Sequence, residues 1–274
     1  MKTSARRDVA ALMYGGEKRF FQCPGVAGAC LRPRRTNDRS FPEIGDSLLM
    51  DFGHSFFAVA DGSGRSGGAS TALLVKFDQM IQRLSGHDPL QAYPAEKVGD
   101  IIRKIEMESE SILQTISLSE SSTLTGILII HTDEGLRGIV LHSGDSLLFQ
   151  FVPGDELKQM SKTNFWMIGR SSRLYQIDDV NIPPGTIFVL TTDGISDLVF
   201  PGSTGRDGCL TKLLGEVGVE EVPERLLSKY DVSPLPVDDL GMVVLKPELL
   251  PFVGRTVMMS GSTEGEPLLP VEHG

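Results

Sequence analysis

The 274 residues carry 36 acidic against 26 basic side chains, a net charge of −10, with 40% apolar and 23% charged residues. That is the composition of a folded globular protein with a sizeable core, and its acidity excludes a nucleic-acid partner held by phosphate neutralisation, outside a local basic patch at Arg32, Arg34, Arg35 and Arg39. Three cysteines with no Cys-x-x-Cys pair exclude a disulfide scaffold and a cysteine zinc site, and no apolar run approaches the ~18 residues of a membrane span; the setting expected is cytoplasmic, with no membrane partner.

After a polar start, apolar β-prone runs at 47–50 and 56–60 flank a short turn containing Gly53, which predicts a hairpin. Antiparallel pairing would bring Asp46 and Asp61 to the same end. From residue 70 the period changes, with Leu73, Phe77, Met80, Ile81 and Leu84 at spacings of three and four, and a second helical pattern runs from Val98 to Ile116. Strands are predicted at 123–131, 137–142 and 146–152, with turns at Asp133-Glu134-Gly135 and Ser143-Gly144-Asp145, then at 186–191 and 242–245 around a third helical stretch from Leu210 to Leu227. Strand clusters joined by tight turns and separated by helical blocks predict an α+β layered fold with antiparallel sheets, one domain over residues 1–250. Residues 251–274, rich in Gly, Ser, Glu and Pro, read as a flexible C-terminal tail.

Gly62, Gly64 and Gly67 form a G-x-G-x-x-G pattern between a strand and a helix, the setting of a dinucleotide-binding turn. That reading fails, because no strand carrying a ribose-binding acid follows within about 20 residues and the Asp61 carboxylate would repel a pyrophosphate. The carboxylates suggest a different chemistry. Asp46, Asp61, Asp193 and Asp238 each sit at a strand end or in an adjoining turn, and hard divalent cations prefer such oxygen donors gathered from several strands. Asp-Gly is also a common turn dipeptide, but Asp61 and Asp193 each follow a largely apolar strand. His54, His87, His131, His142 and His273 show no zinc-binding spacing. His142 reads as a packed or surface side chain, and Trp166 as core.

Five stretches in order, FFAVADGSG, SSTLTGILII, LHSGDSLLFQF, TIFVLTTDGISDLV and VDDLGMVVL, resemble the metal-dependent type 2C protein phosphatases (the PPM superfamily) over roughly residues 45–247. The IGDS sequence at 44–47 resembles the branch that acts in bacterial stress and sporulation signalling. The resemblance implies a four-layer α-β-β-α sandwich, two antiparallel sheets flanked by helix pairs, with two Mn2+ or Mg2+ ions at one end and a third in some members. Carried over by position, Asp61 would bridge the two ions and Gly62 would offer its carbonyl oxygen. Asp193 and Asp238 would be ligands to the other ion, and Asp145 and Asp197 match the third, weaker position. The first acid is Asp46 on hairpin geometry, with Asp38 in Arg-Thr-Asn-Asp as the alternative. The phosphate-binding arginine lies among Arg34, Arg35 and Arg39, with Arg35 the leading choice.

The implied reaction is hydrolysis of phosphoserine or phosphothreonine in a phosphoprotein partner, by in-line attack of a water bridging the two ions. Two departures from the family pattern are Ser63, where a histidine often stands, and Asp239, where an asparagine does. They motivate an alternative from another class, a catalytically weak or inactive relative that binds a partner and signals through conformation.

Overall fold

The computed structural model describes residues 10–12, 19–33, 44–63, 67–84, 92–116, 121–195, 208–230, 238–252 and 256–260. Seven strands form one sheet in the order β1 (Ala10–Leu12), β13 (Thr256–Ser260), β4 (Asp46–Asp51), β5 (Phe56–Asp61), β6 (Leu124–Thr132), β7 (Gly135–Ser143) and β10 (Gln176–Asn181). Six form the other, in the order β2 (Arg19–Cys23), β3 (Ala27–Arg32), β12 (Leu240–Leu245), β11 (Ile187–Thr191), β8 (Leu147–Phe151) and β9 (Lys158–Gln159). Neighbouring strands run antiparallel throughout, apart from the parallel pair β1–β13.

The layering follows from the period-two alternation of side chains along each strand. On β5, Phe57 and Val59 point into the space between the sheets, where they meet Leu48, Leu190, Phe188 and Val243. Phe56, Ala58 and Ala60 point the other way, onto α1 (Gly67–Leu84) and α2 (Val98–Leu113) through Leu73, Phe77, Met80 and Ile105. Val189, Met242 and Val244 of the second sheet pack outward on α3 (Gly208–Glu216) and α4 (Val222–Tyr230) through Leu213 and Leu226. The central strands are therefore apolar on both faces, and the chain is an α-β-β-α sandwich as expected. Among the described residues no helix is long and apolar enough to cross a membrane.

The third helical stretch is two helices rather than one, interrupted at 217–221 around Gly218, with the apolar period carried across the break by Val219 and Val222. The larger departure concerns the expected flexible tail. Its residues 256–260 form β13, which pairs with β4 in the register Val257 opposite Met50 and buries Val257, Met258 and Met259. This short, doubly covered strand has no alternation to display, and its polar flanks mask it. Pro251 and Phe252 complete a 3-10 helix begun at Pro247; the rest of the stretch lies outside the described residues.

Three fully buried apolar side chains, each worth ~1.5–3 kcal/mol, weigh heavily against a total stability of ~5–15 kcal/mol. A chain ended at residue 250 is expected to lose about half its unfolding free energy or more, read as a lowered urea midpoint beside the full chain.

Candidate functional site

The carboxylates gather at one end of the sandwich because strand register puts them there. In the β4–β5 pair Asp46 stands directly opposite Asp61. In the second sheet Thr191 of β11 pairs with Met242 of β12, so the chain leaving β11 through Thr192 and Asp193 runs beside the chain entering β12 through Asp238 and Asp239. The β7–β8 turn carries Asp145 to the same end, since Ser143 pairs with Leu124 and Leu147 with Thr191. Arg32, buried at the end of β3, pairs with Leu240 there.

Hydrogen bonds tie these strand ends across the two sheets. The Thr192 hydroxyl donates to Asp46 Oδ2 at 2.6 Å. Asp239 Oδ2 accepts from the Gly45 amide at 2.8 Å, and the Gly45 carbonyl accepts from Gly62 N at 2.9 Å and from the Ser70 hydroxyl at 2.6 Å. Around Asp61, the amide donates to Thr123 Oγ1 at 2.9 Å. Its carbonyl accepts from Thr123 N and from Ser122 Oγ, both at 2.8 Å. A rigid frame of backbone and hydroxyl groups thus holds the acids where they stand.

Their electrostatics are those of like charges forced together. Burial pushes the Asp61 carboxyl up to about 8, with further upward pressure from Asp193, Asp145, Asp238 and Asp239. Burial also raises the Asp46 carboxyl well above its usual range, and Asp61 adds to this; the Thr192 hydrogen bond opposes it, and Asp239 and Asp193 raise it further. Buried Arg32 stands at the same end, but the groups that press on Asp61 and Asp46 are acids and the donors named are all oxygens, the chemistry of a hard divalent cation. Among the described residues no three acids converge tightly enough to enclose an ion alone. Mg2+ does not require that, since it keeps several waters and takes one or two carboxylates.

Of the expected site residues, Asp46, Asp61, Gly62, Asp145, Asp193 and Asp238 lie at this end; Asp38, Arg34, Arg35, Arg39 and Asp197 lie outside the described residues. Sequence reading missed Asp239 as a member of the cluster, although it is buried and raises both Asp46 and Asp61. The doubled acid in VDDLG was the signal. Thr192, Ser122 and Thr123 were also missed, since a hydroxyl acquires a role only through the strand it faces. Trp166, expected in the core, is 40% exposed. His142 is fully buried near Asp145, and both ring nitrogens are engaged: Nδ1 with Thr125 Oγ1 at 2.8 Å, and Nε2 with the Lys162 carbonyl at 3.1 Å and Asn164 Nδ2 at 3.2 Å.

No protein-family profile matches the chain, and no curated protein does. Solved structures do match. The catalytic domain of the serine/threonine phosphatase PstP, in complex with two manganese ions, is 20% identical at a TM-score of 0.56, covering 80% of this chain and 97% of that one. The PPM Ser-Thr phosphatase MsPP from Mycobacterium smegmatis, in complex with cacodylate, is 13% identical at 0.57, with the same coverage. RsbX in complex with magnesium is 17% identical at 0.53, covering 83% of this chain and 98% of that one. The fold is that of the type 2C phosphatases, bacterial regulatory members among them.

Two outcomes follow from the charges. A carboxyl raised to about 8 stabilises the fold below the ordinary carboxylate range, near pH 4, and that contribution is lost as pH rises through 8. Asp61→Asn is therefore expected to raise the melting temperature in chelator at pH 8, by about 3 °C or more. For His142, burial lowers the imidazole to about 4, so the unfolded chain takes up a proton near pH 6.5 that the folded one refuses. Stability conferred at neutral pH is lost as pH falls from 6.5 to 4, by about 3 kcal/mol. Urea midpoints of the native chain and His142→Gln should converge over that range.

Proposed function

We propose that the chain is a metal-dependent serine/threonine phosphoprotein phosphatase that hydrolyses phosphomonoesters at the carboxylate end of the sandwich. The observation that carries this reading is Asp61 held opposite Asp46 with Asp145, Asp193, Asp238 and Asp239 all bearing on it. It occurs on a fold whose solved neighbours include a Ser/Thr phosphatase holding two Mn2+ ions and RsbX holding Mg2+.

A pair of bound Mn2+ or Mg2+ ions would supply a water acidified toward neutrality and positive charge beside the phosphoryl oxygens. Asp61 and the Gly62 carbonyl would hold the ions from β5, Asp193 and Asp238 from the second sheet, and Asp46 from across the β4–β5 ladder. Asp145 would serve an outer, weaker position. Thr192 fixes the Asp46 carboxylate, and Ser122 and Thr123 fix the backbone of Asp61. Asp239 holds Gly45 and adds negative charge that favours cation binding. Nothing here requires a phosphoenzyme, and the buried Cys30, whose thiol burial pushes up to about 12, is unfit to be a nucleophile.

The test is p-nitrophenyl phosphate and phosphoserine-peptide hydrolysis with added Mn2+. Turnover is expected in the native chain and a loss of about 10²–10³-fold in Asp61→Asn and Asp193→Asn. Mn2+ binding with no turnover on either substrate would overturn the enzyme reading in favour of a phosphatase-like binding protein.

A further inference from the structure

Away from the carboxylates, a groove of about 640 Å3 opens between α2 and the chain leading into β10, with Trp166, Arg173 and Tyr175 on one wall and Glu106 and Glu110 on the other. Its aromatic wall is unusually bare for side chains of this size. Trp166 is 40% exposed and Tyr175 44%, and the two meet edge to face at 5.4 Å; Phe165, next in the chain but outside the groove's lining, is 94% exposed. Exposed aromatic clusters beside a concave surface mark places where another molecule covers them.

The charges are unevenly satisfied. Lys162 Nζ pairs with Asp178 at 3.1 Å, and the Arg173 guanidinium lies over the Trp166 ring at 5.7 Å. Glu106 and Glu110, one helical turn apart on α2, make no ion pair among the described residues, although like charges at that spacing repel. The groove therefore sets an aromatic shelf, with Arg173 over Trp166 and the Lys162–Asp178 pair, against two exposed glutamates that have no ion-pair partner among the described residues.

The same wall also braces the carboxylate site. Ile168 exchanges two backbone hydrogen bonds with Ser122, at 2.9 and 3.1 Å, and the Ser122 hydroxyl holds the Asp61 carbonyl. Asn164 bonds Gly144 through its amide at 2.9 Å and its Oδ1 at 3.1 Å, one residue from Asp145. The segment that carries Trp166 is thus hydrogen-bonded to the residues that frame Asp61 and precede Asp145.

We propose that this groove docks the stretch of phosphoprotein flanking the phosphorylated residue, a stretch with an aromatic or long apolar side chain for Trp166 and Tyr175 and lysine or arginine for Glu106 and Glu110. This deepens the phosphatase reading and rests on it for the identity of the partner. Substrate choice then resides in a basic-apolar motif beside the phosphate.

Trp166 is the chain's single tryptophan, so its fluorescence reports on the groove with no turnover needed. The probe is a short unphosphorylated peptide with a leucine flanked by lysines, lacking aromatic residues, titrated into the full chain beside a counterpart with glutamates. A saturable change with the lysine peptide alone is expected, weakened about tenfold or more in Glu106→Lys/Glu110→Lys and by added salt. The same double variant should raise KM about tenfold for a phosphoserine peptide with that lysine flank and leave p-nitrophenyl phosphate turnover within about twofold. No fluorescence response, an equal response to the glutamate peptide, or a response untouched by charge reversal would overturn the docking site whatever the turnover. A retained response with no hydrolysis of any phosphosubstrate would instead overturn the phosphatase reading and keep the groove as a peptide-binding surface.

Discussion

Negative charge crowded into one end of a β-sandwich is the constraint around which the rest of the molecule is organised. Left to itself, a buried carboxylate opposite another would separate or take up a proton. Here neither strand can move. Asp46 and Asp61 are locked opposite each other by a six-residue antiparallel ladder, and the second sheet is pinned to the first through Thr192–Asp46 and Asp239–Gly45. The core supplies the force that holds this arrangement, since Leu48, Phe57, Val59 and Leu190 in the intersheet layer cannot be separated without exposing them.

The two ends of β4 show that this is a property of the site rather than of buried aspartates in general. Asp51, at the far end, is as buried as Asp46, and its Oδ1 accepts from Gly53 N, His54 N and Thr256 Oγ1 while its Oδ2 meets His54 Nδ1 at 2.6 Å. Burial alone would raise the Asp51 carboxyl, but the hydrogen bonds and charge of His54 bring it below its ordinary range. Asp46 receives one side-chain hydroxyl and several like charges, and is raised. One strand thus ends in a carboxylate satisfied by the protein and, at the other end, in one held against like charges. Stability is given up at the end where the chemistry would occur.

How much of this could be read beforehand depended on the kind of signal. The β4–β5 hairpin, the helices at 67–84 and 98–113 and the strands around 124–151 announce themselves by period and turn chemistry, and the acids at their ends came with them. β3, Ala-Gly-Ala-Cys-Leu-Arg, is wholly buried but made largely of small residues, so it carries no apolar alternation to detect. β13 was hidden by its flanks in the same way. Within the site, positions fixed by backbone register were legible. Asp239 and Thr192 were not, because their roles arise from contacts between sheets 194 and 146 residues apart in the chain. Trp166 misled for a related reason: a lone tryptophan in an apolar run reads as core until the fold leaves that wall uncovered.

The glycines beside the acids have distinct physical tasks. Asp-Gly in a tight turn needs a positive φ at the glycine, yet among the described glycines positive φ occurs at Gly25, Gly135, Gly144, Gly154, Gly169 and Gly185, and neither at Gly62 nor at Gly194. Gly62 instead continues the ladder, bridging to Ser122 and donating to the Gly45 carbonyl. Gly194 is required by proximity, since a Cβ there would stand 2.1 Å from the Asp239 carbonyl oxygen. The left-handed turn belongs to Gly144, before Asp145, where φ is 112° and a Cβ would also strike Thr123. The two Asp-Gly pairs are therefore not turns that happen to carry an acid. At the end of the second sheet, the absent side chain lets the chain leaving β11 pass against the Asp239 carbonyl just before β12, where Asp193, Asp238 and Asp239 all bear on Asp61.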